Sequence, residues 1–179
     1  MDRLPPTPSQ TVGPFFGYAL PFPAGGQIAP AGHPDAVVLR GAVYDGAGAP
    51  VPDALLELWQ GGPGAPGSLR RDPSSGVVTG RNGIDDTRFG RIATDADGGY
   101  VARIVAAPYV SVCVFARGLL HHLFTRAYLS AQALESAAGL AALPEARRST
   151  LLARPERPGV YRFDIRLQGD EETVFLDFQ

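Results

Sequence analysis

One cysteine, Cys113, occurs in the 179 residues, so no internal disulfide can form, and its place in a Val-rich run predicts a small hydrophobe filling the core. Imidazoles are nearly as scarce, with only His33, His121 and His122. Two histidines on one strand face must be separated by one residue, and neighbours on a helix diverge by roughly 100°. The adjacent His121-His122 therefore predicts a partly buried or hydrogen-bonded pair near an interface, not a metal site. Asp85-Asp86 is expected to be a solvated turn for the same want of partners. There is no H-E-x-x-H, no C-x-x-C, no P-loop, and no strand that runs through G-x-G-x-x-G into a helix, which removes the common zinc and nucleotide schemes. No serine sits in the nucleophile-elbow pattern G-x-S-x-G. Long apolar runs are missing as well. The longest, Ile104 to Ala116, is broken by Pro108 and is too short to cross a bilayer, and the opening MDRLPPTPSQ has no apolar leader core. A soluble, unexported, cytoplasmic protein with no membrane partner is expected. A net charge of −2, with arginines scattered along the chain, leaves no broad positive field for nucleic acid.

What is present reads as one globular, loop-rich, mainly β domain spanning residues 1–179. Hydrophobic residues make up 45% of the chain, with 22 Gly and 17 Pro, and this length can bury a sizeable core. Apolar and polar residues alternate strictly from Tyr161 to Gln168, which predicts a half-buried antiparallel strand. Thr173 to Phe178 reads as a second strand across the turn Gly169-Asp170-Glu171-Glu172, so a hairpin is expected to end the chain. Val37–Tyr44, Ala54–Trp59 and Tyr100–Val105 are further strands set off by turn residues. Tyr109–Phe115 is apolar on both faces and is expected to be central in a sandwich of two packed antiparallel sheets. Ser130 can cap an Ala/Leu-rich helix from Ala131 to Leu143 that Gly139 weakens, and Pro144 can start a second helix through Leu152. Residues 130–152 are thus a helical insertion. Residues 1–20 form a proline-rich arm with an extended course. Trp59 is expected to be a buried aromatic near a strand end, with Arg126 and Asp164 as charges on a solvated or interface face.

Several segments together carry a resemblance. They are Thr7-Pro8-Ser9-Gln10-Thr11-Val12-Gly13-Pro14-Phe15-Phe16, Gly41-Ala42-Val43-Tyr44-Asp45-Gly46 through Leu56-Glu57-Leu58-Trp59-Gln60, Phe115-Ala116-Arg117-Gly118 through His122, Thr125-Arg126, and the YRFDIRLQG ending. In combination they resemble the alpha chains of heteromeric intradiol ring-cleaving dioxygenases, over nearly the whole length. The resemblance implies a β-sandwich and a homologous beta subunit that holds Fe(III) on two Tyr and two His, the His pair in an H-x-H strand. The corresponding stretch here is Tyr109-Val110-Ser111, and no Tyr occurs between Trp59 and Phe89. No metal ligand and no catalytic residue is therefore expected in this chain, and ferric iron, preferring hard phenolate and imidazole donors, is expected in the partner.

The implied reaction is insertion of O₂ between the two hydroxyl-bearing carbons of protocatechuate, an aromatic dihydroxy acid, giving 3-carboxy-cis,cis-muconate in aromatic catabolism. Within it Arg117 is expected to offer its guanidinium to the substrate carboxylate across the subunit interface. The turn of Thr11, Gly13 and Pro14 is expected beside the same cavity, with Gly13 admitting close backbone approach and Pro14 stiffening it. Blander readings stand beside these: Arg117 pairing with a surface carboxylate, and the Thr11–Pro14 stretch serving only as an anchor. Two other classes are also compatible with parts of the pattern. One is a self-sufficient intradiol enzyme. The other is a non-enzymatic transthyretin-like or collagen-adhesin-type sandwich, suggested by the Gly41–Gly46 turn and the Pro50-Val51-Pro52-Asp53 approach to a strand.

Overall fold

The computed structural model describes residues 7–61, 69–72, 74–75, 78–81 and 88–177. Its main body is the expected β-sandwich. In the first sheet, β1 (Ala36–Tyr44) lies antiparallel to β6 (Gly99–Val105) on one side. On its other side it lies parallel to β10 (Val160–Arg162) and β11 (Ile165–Arg166), and β9 (Arg154–Arg157) closes the edge against β10. The second sheet runs β5 (Phe89–Ala93), β2 (Leu55–Trp59), β7 (Tyr109–Phe115), β8 (Leu123–Tyr128), all antiparallel. A separate hairpin pairs β3 (Leu69–Arg71) with β4 (Val78–Arg81).

Two-residue periodicity builds the core. Val110, Val112 and Val114 of β7 point inward with Leu56 and Leu58 of β2, against Leu39 and Val43 of β1 and Ala102 and Ile104 of β6. Each such fully buried aliphatic side chain contributes about 1.5–3 kcal/mol of hydrophobic stabilisation before entropy is counted. Gly41 sits between Leu39 and Val43 because a Cβ there would lie 1.9 Å from the Phe163 carbonyl oxygen.

Alternation in Tyr161–Gln168 holds, since Phe163 and Ile165 are buried, but its pairing differs from the expected antiparallel strand. β10 is antiparallel only to β9, and it meets β1 in parallel. The ladder along β1 is broken where side chains replace backbone partners: the Ala42 N–H donates to Asp164 Oδ1 at 3.0 Å, and the Tyr100 hydroxyl donates to the Phe163 carbonyl at 2.5 Å. One predicted strand thus becomes two short ones. The terminal hairpin does not form either. The turn is present, with Glu172 N–H bonded to the Gly169 carbonyl, and Thr173 N–H still reaches the Arg166 carbonyl. Beyond it the chain leaves for the other sheet, where Thr125 Oγ1 donates to the Val174 carbonyl and Leu176 N–H donates to the Phe124 carbonyl.

The insertion is less helical than its composition predicts. Ser130 caps α2 (Ala131–Glu135) through the Ala133 N–H, but α2 ends at Glu135, where the Ser136 hydroxyl takes the Gln132 carbonyl and competes with helix continuation. Gly139 then adopts φ +91° and turns the chain, and Pro144 precedes α3 (Glu145–Ser149). Leu134, Leu140, Leu151 and Val174 pack around Tyr128 as a second apolar cluster. Two side-chain expectations fail: Trp59 is 45% exposed, not buried, and Cys113 lies half-buried on the outer face of β7, not in the core. Both follow from register, because Trp59 pairs with Ser111 and Glu57 with Cys113, all projecting away from the sandwich interior.

Candidate functional site

β7 ends in a turn that begins at buried Ala116, whose carbonyl accepts from Leu119 N–H. Gly118 has φ +86°, which favours glycine at this position. The turn pushes Arg117 outward, its side chain 70% exposed and ion-paired through Nε with Asp53 on the connection into β2. The carboxylate partner of the blander reading therefore exists, and it is Asp53.

The arm reaches the same turn. It is tied down by Phe16, 5% exposed, at the start of α1 (Phe16–Ala19), while Thr11 and Pro14 are exposed. Gly13 takes φ +82°, and a Cβ added there would meet no atom of this chain within 4 Å. Gln10 and Val12 of the arm then share a cavity of about 160 Å³ with Phe115, Ala116, Leu120 and His122. The neighbours of Arg117 and of Gly13 thus line one small space. His121 and His122 are both exposed and diverge, as adjacent residues must: Ser9 Oγ lies 3.5 Å from His121 Nδ1, and the His122 ring packs edge-on against Phe124, with centroids 4.6 Å apart.

Farther along β7, Tyr109 and Ser111 project from the outer face at the two positions where the resemblance places the H-x-H pair. The Arg126 guanidinium lies over the Tyr109 ring at 4.6 Å, and Arg126 is the cross-strand partner of Ser111. Neither position supplies an imidazole. Among the described residues, no group of three or more His, Cys, Asp or Glu could hold a metal ion. A ferric site does not fit this donor set. Asp85-Asp86 and the Gly/Pro-rich stretch 62–67 lie outside the described residues.

Comparison with known proteins places this arrangement. The chain is 40% identical to the protocatechuate 3,4-dioxygenase alpha chain of Burkholderia cepacia, an alignment covering 99% of this chain and 100% of the relative. The chain belongs to the protocatechuate 3,4-dioxygenase alpha-chain family. A second member, from Pseudomonas putida, is 33% identical with 99% of each chain covered. Both alignments run longer than this chain, so these family members carry segments that it lacks. No family model matches the sequence. Among solved structures, the dioxygenase domain of a dioxygenase carbohydrate-binding protein fusion from Streptomyces sp. SirexAA-E superposes with a TM-score of 0.56 at 24% identity, covering 92% of this chain and 99% of that one. The 3-chlorocatechol 1,2-dioxygenase of Rhodococcus opacus 1CP gives 0.54 at 20% identity, covering 88% and 71%. These establish a shared intradiol dioxygenase fold.

Two residues of this region escape a reading of the sequence. Asp53 is visible there only as the end of Pro50-Val51-Pro52-Asp53, and nothing local signals a pairing with Arg117 so far along the chain. Gln60 is legible as part of the Leu56–Gln60 motif, but its inward course is not: it is 8% exposed and bonded at both ends of its amide to the backbone of Val105.

Proposed function

We propose that this chain is the metal-free alpha subunit of a cytoplasmic heteromer that cleaves protocatechuate (3,4-dihydroxybenzoate) with O₂ to 3-carboxy-cis,cis-muconate. Both oxygen atoms enter the product, so no further oxidant or reductant is consumed. The full-length identity to protocatechuate 3,4-dioxygenase alpha chains carries the reading. In it, residues 1–179 act as a single domain, and the ferric ion is held by a homologous beta subunit. The absence of imidazoles at Tyr109 and Ser111 supports that division.

The contribution of this chain is shape and charge at the partner's cavity. Arg117 and the turn of Thr11, Gly13 and Pro14 face outward from one end of the sandwich. Val12 at 39% exposure and Phe15 at 74% provide apolar surface around them, which suits burial against another protein. The Nη edge of Arg117 would meet the substrate carboxylate with two parallel N–H donors, an interaction strengthened once water is excluded. Asp53 would hold Nε and keep that edge aimed. The open space above Gly13 would let substrate or partner backbone approach without a side chain in the way.

The test is co-expression with the candidate beta chain followed by kinetics. Recovery of this chain only as stable monomers would count against the reading. In the heteromer, Arg117→Ala should raise KM for protocatechuate by about 10- to 100-fold, as expected for a charge-assisted bond worth about 1.5–3 kcal/mol. KM for catechol, which has no carboxylate, should stay put, and equal effects on both substrates would remove Arg117 from recognition.

A further inference from the structure

The small cavity between the arm and the turn after β7 is built like a socket for one side chain. Phe115 and the buried Ala116 line it from the end of β7, Leu119 and Leu120 from the turn beyond, and Val12 from the arm. Its polar members, Gln10 and His121, are exposed. Apolar lining with polar groups at the margin is the anatomy of a protein interface. The volume, about 160 Å³, sets the size of the guest. A cavity of about 150 Å³ lined by Leu, Ile and Phe holds benzene, so a phenyl ring or a branched aliphatic group fits here and a whole helix or strand does not.

This chain does not fill the space with its own nearby aromatic: Phe15 is 74% exposed and takes no part in the lining. Exposed apolar side chains are gathered at the same place. Of the eight large hydrophobic side chains exposed among the described residues, Val12 and Leu120 line the cavity, Phe124 packs on the His122 ring that also lines it, and Phe15 follows Val12 in the arm. Such residues scattered singly need no explanation, but a gathered set marks an interaction site.

Position decides what covers it. Arg117 directly follows Ala116, and Gly13 directly follows Val12, so the cavity lies where the two elements assigned to the partner's active site come together. A surface in contact with both also covers the cavity.

We propose that this cavity is the anchor pocket for the iron-bearing beta subunit, seating one aromatic or branched aliphatic side chain of that subunit and fixing the register in which Arg117 and Gly13 reach the substrate. The proposal rests on the heteromer reading above and adds to it the point of attachment. One side chain seated in a fitted pocket, with apolar neighbours excluding water around it, carries an outsized share of binding energy.

The experiment measures the affinity of this full chain for the candidate beta chain by sedimentation velocity. Leu120→Ser changes a residue already 57% exposed, so the variant should unfold at the parent's Tm while its affinity falls about tenfold or more. Val12→Trp keeps the surface apolar but crowds the cavity, and it should weaken association as well, whereas burial of a plain apolar patch would tolerate it. Val101→Ser, at a residue of β6 that is 61% exposed, should leave affinity within about twofold of the parent. Parent-like affinity in either Leu120→Ser or Val12→Trp overturns the pocket and leaves the heteromer reading standing. A crystal structure of the complex with water, substrate or a second copy of this chain at the cavity does the same. Failure of the two parent chains to associate at all overturns both.

Discussion

Replacing Gln60 should be among the most damaging single changes in the chain, although it touches no part of the proposed substrate contact. Its Nε2 donates to the Val105 carbonyl at 2.5 Å, and its Oε1 accepts from the Val105 N–H at 3.0 Å. One side-chain amide therefore satisfies both backbone groups of a residue only 6% exposed, clamping the end of β2 in the second sheet to the end of β6 in the first. Gln60→Leu keeps approximate volume but leaves that N–H and carbonyl unpaired in a dry setting. Each orphaned group costs about 1–3 kcal/mol, less whatever water recovers, so a net loss of about 2–4 kcal/mol is expected. For a chain of this size each kcal/mol lowers Tm by about 2–4 °C, so thermal unfolding followed by circular dichroism should show a drop of about 4–16 °C. Gln60→Glu adds a pH handle. As a carboxylate it cannot donate to the Val105 carbonyl, whereas the neutral acid can, so its folded-state pKa should be raised. The folded state then binds more protons than the unfolded one, and the variant should gain stability as pH falls through that raised pKa. A Gln60→Leu protein within about 0.5 kcal/mol of the parent would refute the clamp.

Three further perturbations probe other parts of the molecule. Gly41→Ala drives a Cβ into the Phe163 carbonyl, a backbone group that also accepts the Tyr100 hydroxyl, and should cost about 3 kcal/mol or more in chemical denaturation. Cys113 has its thiol pushed up to about 12, by burial first and the Glu57 charge second; at pH 8 its alkylation by iodoacetamide should run about a thousandfold slower than that of a thiol of pKa 9, rising tenfold per pH unit until pH approaches 12. Asp53→Asn should change thermal stability by less than about 1 kcal/mol, because its partner Arg117 is largely solvent-exposed. It should nevertheless raise KM for protocatechuate severalfold without affecting catechol, and Asp53→Glu should restore it.

The fold class is readable in the sequence because β1, β2, β6 and β7 are short apolar runs set between clear turn residues. Partners are not readable from the same pattern. Tyr161–Gln168 alternates correctly, but alternation says which face is buried and nothing about the direction of the neighbouring strand. β9, Arg-Pro-Glu-Arg, is exposed at every position and carries no apolar signal at all; it exists because β10 offers it an edge. Residue type alone puts Trp59 and Cys113 in the interior, and register sends them outward instead. At the candidate site, Arg117 and the Thr11–Pro14 turn are located by motif. Asp53 and Gln60 act through partners far away in sequence, which only the folded chain brings together.

The parallel pairing of β1 with β10 and β11 bears on how the protein folds. Ala42 in β1 and Asp164 between β10 and β11 are bonded across 122 residues of sequence, and the Val174–Leu176 stretch crosses to β8. Such pairings close a large loop before any contact rewards it. The β7–β8 hairpin can therefore assemble quickly, while the edge of the first sheet sets the pace.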